Sequence, residues 1–395
     1  MDFPFQFSAT AILILFAFIT PSIYYLFRIP GKENKKRAPP EAAGAWPLIG
    51  HLHLLAGSQP PHIMLGNLAD KYGPIFTVKL GVHRTLIVSN WEMAKQCLTT
   101  NDKAFATRPK ALATDILGFN YSMLGFSPYG TYWRQIRKIV TLEVLSNHRL
   151  EMFKSVREDE VRDAVGALYQ QWIGNKSNSQ KLLVDMKRWF NDITLNVILK
   201  IIVSKRYVDY ASPGEEKPSD EWRDSLRAFL ELSGMFIASD ALPFLRWLDL
   251  GGVEKAMKRT AKNLNHTVAK WLEEHKQKKA SGTAKGEEDF MDLMLSALDD
   301  AKELSNRSAD TINKATCLIL RDPQIWSDPD EFQPERFLTT HKDCDFRGQH
   351  FEFIPFGSGR RMCPGVSFAL QVLNLALAIL LHGFDIETLD DALMT

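Results

Sequence analysis

The sequence predicts a mainly α-helical protein with a small β part, set behind an N-terminal transmembrane helix. Three observations carry this reading. Apolar residues recur at three- and four-residue steps through most of the chain. One stretch, Ile75–Leu80 followed by Thr85–Ser89, has the β-branched character of a strand pair. Phe3 to Phe27 runs for 25 positions without a charge, against the roughly 20 apolar residues that cross a hydrocarbon core.

Composition bounds the function classes. The chain has 395 residues, 45% apolar and 24% charged, which excludes collagen-like repeats and global disorder. Lys and Arg total 48 against 47 Asp and Glu, a net charge of +1. No global basic field exists to hold nucleic acid, so that class of partner is set aside. Cys97, Cys317, Cys344 and Cys363 lie 220, 27 and 19 residues apart with no C-x-x-C, so neither a zinc ribbon nor a disulfide scaffold is expected.

Taken in order, residues 1–27 read as an anchor centred on the apolar run Ala11–Ile19. Arg28, Lys32, Lys35, Lys36 and Arg37 follow, opposed only by Glu33, so the positive-inside rule keeps the body on the cytosolic side. A cleaved signal peptide is the alternative, but it carries its positive charge ahead of the apolar run, where this chain has none. Residues 28–50 read as a basic stop and a hinge rich in Pro and Gly (Pro39, Pro40, Gly44, Pro47, Gly50). Residues 51–395 form the body. Ser58–Tyr72 reads as a helix ending before Gly73, and the strands flank a turn at Gly81–Arg84. Helices follow at Trp91–Leu98, Thr131–Leu145, Leu150–Trp172, Leu182–Ile202, Glu221–Phe236 and Val253–Lys279, the last with a basic face. Lys276–Glu288 is polar and loop-like. A helix starts near Asp310 and runs only to Leu320, after which Arg321–Phe337 is a coil with three prolines.

Pro355–Gly365 (PFGSGRRMCPG) carries the strongest chemical signal. Gly357 and Gly359 permit backbone angles closed to other residues. Pro364 suits the first turn of a helix, and apolar Val366, Ala369, Leu370, Leu373, Leu377 and Leu380 continue it. Cys363 is thereby expected at a helix N-terminus, where the dipole and Arg360 and Arg361 favour thiolate over thiol. Such a thiolate can attack an electrophile or bind a soft metal. A structural cysteine at a helix cap is the other reading of the same residues.

The spacing F-x-x-G-x-R-x-C-x-G, here Phe356, Gly359, Arg361, Cys363 and Gly365, resembles the haem-binding loop of the cytochrome P-450 superfamily. Trp133 and Arg137 match the W-x-x-x-R of its propionate-contacting helix, and Phe332–Phe337 resembles the P-E-R-F segment ahead of the loop. The anchor, basic stop and hinge are similar to those of microsomal plant members. The resemblance implies a P-450-like fold, haem b (iron protoporphyrin IX) as cofactor, and electrons from NADPH delivered indirectly through a reductase. It implies Cys363 as the axial ligand of the haem iron. Trp133, Arg137 and Arg361 would bind the propionates, Phe356 would shield the sulfur, and Gly359 and Gly365 would shape the loop. Arg360 and Lys138 are either solvated charges or part of a basic face for an acidic electron donor.

The chain also departs from the family. No Glu has an Arg three residues on, so the E-x-x-R brace is missing. Ala309-Asp310-Thr311 resembles the end of the oxygen-handling motif A/G-G-x-D/E-T, but Ser308 stands in place of the glycine and the surroundings are polar. It is a decoy, and no catalytic residue is identifiable. About a hundred residues are expected to be missing between Leu320 and Arg321, judged by the size that the fold needs. Phe384–Thr395 leads toward the family's last hairpin and the chain ends there. Two functions stand. One is a monooxygenase anchored in the endoplasmic-reticulum membrane, oxidising a small lipophilic plant metabolite with O2. The other is a non-catalytic truncated or splice-variant member that cannot turn over.

Overall fold

The computed structural model describes residues 38–57, 59–175, 181–210, 221–281, 289–300, 345, 347–351 and 353–387. The expected anchor, the basic stop, the helix from Asp310, the break at Leu320–Arg321 and the Phe332–Phe337 coil lie outside these residues. The described residues are mainly helical with one two-stranded sheet, and they fall into two compact units. The first takes in residues up to Ala94 together with Ala241–Arg246; the second takes in Lys95–Asp240 and the chain from Trp247.

In the first unit, α1 (Pro61–Tyr72) starts on Pro61, whose missing N–H costs nothing there, and stops at Gly73 with φ +91°. β1 (Ile75–Leu80) and β2 (His83–Val88) pair antiparallel, Leu80 opposite His83 and Ile75 opposite Val88. The turn is therefore only Gly81-Val82, shorter than the expected Gly81–Arg84. Gly81, with φ +62°, permits the tight two-residue form. It also admits a close neighbour, because a Cβ there would fall 2.0 Å from the Ala241 carbonyl oxygen. Buried Phe76 and Val78 pack with Leu68, Ala69 and Tyr72 of α1. The Pro/Gly stretch from Pro40 to Gly50 lies along this hairpin: Ala42 N–H donates to Thr77 O and His51 N–H to Lys79 O. Buried His51 ties the two together, its Nδ1 accepting from Lys79 N–H and its Nε2 donating to Ala42 O.

α2 (Trp91–Lys95) closes the N-terminal stretch of the first unit, and the helix widens into a π-helical turn at Gln96–Thr100 in the second. A four-residue helix, α3 (Asp102–Phe105), follows. α4 (Thr131–Ile139) likewise ends in a π-helical turn, Val140–Val144, so the expected Thr131–Leu145 helix is present with two geometries. The expected helix from Leu150 is broken at Phe153: Asn147–Met152 ends there and α5 (Lys154–Asn175) begins anew. α6 (Met186–Val203) starts later than Leu182 because Asp185 caps it, accepting from Arg188 N–H. It stops at Ser204, whose φ of +54° is left-handed. α7 (Glu221–Ser233) ends short of Phe236, and α8 (Val253–Ala280) matches its expected span within a residue. α9 (Phe290–Asp300) and α10 (Val366–Gly383) follow.

The main core gathers Trp133 and Ile136 of α4, Val161 and Ala164 of α5, Ile193 and Val197 of α6, Met294 of α9, and Val372, Ala376 and Leu380 of α10. Helix α10 is the one described helix long and apolar enough to cross a membrane, and this core is where its buried face sits. Buried Asn196 reverses the chain after α6: its Oδ1 accepts from Tyr207 and Val208 N–H and its amide donates to Val208 O. Asp289 joins three helices. One oxygen caps α9 through Met291 and Asp292 N–H, and the other accepts from His275 Nε2 of α8 and from the Ser204 hydroxyl after α6.

Candidate functional site

All seven residues singled out around Cys363 lie in the second unit, and the fold brings them together. The loop is built on glycines. Gly357 and Gly359 have φ of +70° and +65°, and a Cβ on Gly359 would lie 2.1 Å from the Leu98 carbonyl oxygen. Only glycine permits both that conformation and that approach. The buried Ser358 hydroxyl donates to Gly348 O at 2.7 Å. Phe356 supplies the carbonyl that accepts Cys363 N–H at 2.9 Å, so its backbone fixes where the cysteine stands.

Helix α10 begins at Val366 with Gly365 as its cap, the Gly365 carbonyl accepting from Ala369 N–H at 2.9 Å. Pro364 therefore precedes the helix and does not occupy its first turn as expected. The turn at Cys363–Gly365 places the sulfur two residues ahead of the cap. A Cβ on Gly365 would stand 3.9 Å from Cys363 Sγ, so the glycine lies against the sulfur without being forced by sterics. Both Cys363 and Cys97 are free thiols, half-buried; burial pushes the Cys97 thiol up.

Trp133 and Arg137 meet the loop across more than two hundred residues of sequence. Arg137 Nη2 donates to Met362 O at 2.6 Å. Trp133 is buried, and its indole N–H donates to Leu124 O at 3.0 Å. The Arg361 guanidinium lies 4.5 Å from the Trp133 ring centroid and that of Arg137 lies 5.3 Å away, both cation–π contacts. Arg361 also clamps backbone: Nε to Ala106 O at 2.7 Å, Nη1 to Leu124 O at 3.2 Å and Nη2 to Ser127 O at 2.6 Å. Three of its five N–H donors are thus engaged in holding the loop to residues 106–127.

The electrostatics test whether haem fits. Burial first, then the charges of Arg108 and Arg137, hold the Arg361 guanidinium down to about 10. Burial also lowers Arg137, with the Cys363 sulfur acting in the opposite sense. Cations gathered this closely and partly buried suit an anionic partner, and the two propionates of haem would be one. The donor set fits the group. Sequence reasoning missed Arg108, which donates to Gly125 O at 3.2 Å. It also missed Asp102 and Tyr129, which hold Arg360 through an ion pair at 2.8 Å and a hydrogen bond at 3.0 Å. No local motif marks these residues, because their partners are distant in the chain. Arg360 is consequently paired and not simply a solvated charge.

A second cluster, His275, Asp289 and Asp292, has the composition of a cation site. Its geometry is structural: His275 Nδ1 faces Trp271 O at 2.7 Å and Nε2 faces Asp289 at 2.8 Å. Both partners offer acceptor oxygens, an arrangement that favours the protonated ring. The Asp289 carboxylate raises the His275 pKa accordingly.

Comparison with known proteins agrees with this fold and site. The profile of the family described as Cytochrome P-450 matches residues 39–320 and 310–394. Strychnine-10-hydroxylase of Strychnos nux-vomica is 38% identical over 100% of this chain and 95% of its own length. Demethylepipodophyllotoxin synthase of Sinopodophyllum hexandrum is 40% identical, covering 96% and 92%. Flavonoid-6-hydroxylase of Mentha piperita is 38% identical, covering 95% and 92%. A zebra fish cytochrome P-450 solved with progesterone shares the fold at a TM-score of 0.55 and 18% identity, covering 82% of this chain and 91% of that one. The fold and the relatives define a haem-thiolate oxidoreductase, with haem iron as cofactor and reductase-delivered electrons from NADPH. The chain belongs to the cytochrome P-450 family.

The missing block has support in the same alignments. That with the strychnine hydroxylase spans 499 columns, 104 more than the chain's 395 residues. The two matched stretches of the family profile meet at residues 310–320, where the break at Leu320–Arg321 was expected.

Proposed function

We propose that this chain is a monooxygenase that oxidises a small lipophilic plant metabolite of the alkaloid or flavonoid kind, and that Cys363 is the axial ligand of its haem iron. The observation that carries the reading is the convergence of Arg137, Arg361 and Trp133 on the Cys363 loop. The bound haem supplies activation of O2. Around it, Gly357 and Gly359 let the loop turn, and the Phe356 carbonyl orients the Cys363 amide. Arg137 and Arg108 offer their remaining donors to propionates. Trp133 stacks behind Arg361, and its N–H reaches a propionate only by leaving Leu124 O. The names of the relatives support the substrate class: two are hydroxylases, of strychnine and of flavonoids, and a third is a demethylepipodophyllotoxin synthase. The uncharged run Phe3–Phe27 and the basic residues after it support an anchor in the endoplasmic-reticulum bilayer, with the body facing a cytosolic NADPH-dependent reductase.

A second reading is favoured by one observation. Neither the family's E-x-x-R brace nor its oxygen-handling motif occurs in the chain, and the block expected to be missing between Leu320 and Arg321 would have carried them. In that reading the chain keeps the haem loop and cannot turn over, because no positioned acid–alcohol pair handles protons. The deciding experiment is the carbon monoxide difference spectrum of reduced membranes expressing this sequence, followed by an activity screen. A red-shifted thiolate band that is abolished by Cys363→Ser establishes the ligand. Turnover of any substrate eliminates the second reading; a band without turnover establishes it; no band overturns the assignment of Cys363.

A further inference from the structure

The loop ahead of Cys363 rests on one short segment. Gly359 meets the Leu98 carbonyl, and Arg361 Nε donates to Ala106 O. Between these two contacts Arg360 Nε pairs with the Asp102 carboxylate at 2.8 Å. Arg360 Nη1 also donates to the Tyr129 hydroxyl at 3.0 Å, and its guanidinium lies 5.5 Å from the centre of that ring. The Tyr129 ring leans on Trp133 at 5.5 Å. Asp102 is the acidic member of this arrangement, and its side chain is only 21% exposed. On the other side of the sequence, Arg137 holds Met362 O. The loop just ahead of Cys363 is thus tied to different elements: Arg360 to α3 through Asp102, and the Met362 carbonyl to α4 through Arg137.

We infer that Asp102 is a positioning residue for Cys363: its ion pair with Arg360 sets where the loop presents the sulfur. The inference rests on Cys363 being the haem ligand. Asp102 acts through Arg360, its ion-pair partner. Loss of the pair loosens the sulfur without unfolding the core, since neither side chain is buried in it.

The test uses the full chain in membranes, with D102N, R360Q, the double variant and D102E. Three quantities are read. They are the share of thiol-ligated against thiolate-ligated ferrous haem in the carbon monoxide spectrum, the rate of Cys363 alkylation by iodoacetamide after haem removal, and the midpoint of thermal unfolding. Each single substitution is expected to raise the thiol-ligated share and the alkylation rate about two- to fivefold, the range of a partly exposed pair. The midpoint stays unchanged, D102E restores most of the wild-type behaviour, and the double variant is no worse than either single one. Unchanged alkylation in D102N, additive effects in the double variant, or a falling midpoint alongside the alkylation each overturn the inference. A wild type without a thiolate band defeats the ligand assignment instead, and the alkylation rates still decide the role of Asp102.

Discussion

Trp133 and Arg361 share one acceptor: the indole N–H and the guanidinium Nη1 both donate to the Leu124 carbonyl, with the cation 4.5 Å from the ring centroid. The pair joins the core helix α4 to the cysteine loop, so core packing and loop geometry are coupled. Trp133→Ala is expected to cost about 3–5 kcal/mol, the usual range for a buried Trp truncation. Trp133→Phe keeps the ring face and loses one hydrogen bond, about 1 kcal/mol. Urea unfolding of the solubilised chain measures both. A Trp133→Ala cost close to that of Trp133→Phe would show that the ring does not couple core to loop.

The two glycines flanking the cysteine respond differently to an added methyl. At Gly359 a Cβ meets backbone at 2.1 Å and the φ of +65° is strained for any other residue. Gly359→Ala must therefore displace the loop from Leu98, and loss of haem binding is expected. At Gly365 the nearest atom is Cys363 Sγ at 3.9 Å, ordinary contact, with φ −93°. Gly365→Ala is expected to keep most of its haem. Haem content per chain, from the absorbance of purified protein, compares the two; equal loss contradicts the geometry.

Arg137 is gripped by Met362 O and opposed by burial. Arg137→Lys keeps the charge and gives up the planar fork, so it cannot hold the Met362 carbonyl and a propionate together. Its haem content is expected to fall severalfold while far-ultraviolet circular dichroism stays that of the wild type. Full retention of haem in the lysine variant removes Arg137 from the binding set.

The His275–Asp289 pair makes stability depend on pH. The folded-state pKa of His275 is raised above its ordinary 6.5 by the hydrogen bond to Asp289. Its contribution is then fully present below the unfolded value and is lost as pH rises through the folded one. Urea midpoints are expected to decline from about pH 6.5 upward for this reason, and His275→Gln is expected to flatten that slope while lowering stability at pH 6. Identical slopes in wild type and variant would assign the dependence to other groups.

Much of the fold was legible from local pattern. The hairpin, the long helix α8 and the helix after Cys363 follow from periodicity, and Gly73 marks the end of α1 where a stop was expected. The cysteine loop was legible too, because its glycines, arginines and cysteine stand at the spacing of a known haem-binding motif. Element ends were read less well. The π-helical turns after α2 and α4 and the break at Phe153 answer to packing between helices, and residue preference carries no trace of it.

Local residue chemistry thus singled out Cys363 and the neighbouring Arg360 and Arg361, and the resemblance carried by the motif supplied the class of protein and pointed to Trp133 and Arg137. Tertiary structure alone decided how they are held. Asp102, Arg108 and Tyr129 join the site only because folding brings α3 and the residues before α4 beneath a loop more than two hundred residues later. Arg361 likewise became a clamp on three carbonyls. Backbone acceptors are the same in every residue, so which of them a guanidinium finds is set by where the chain returns.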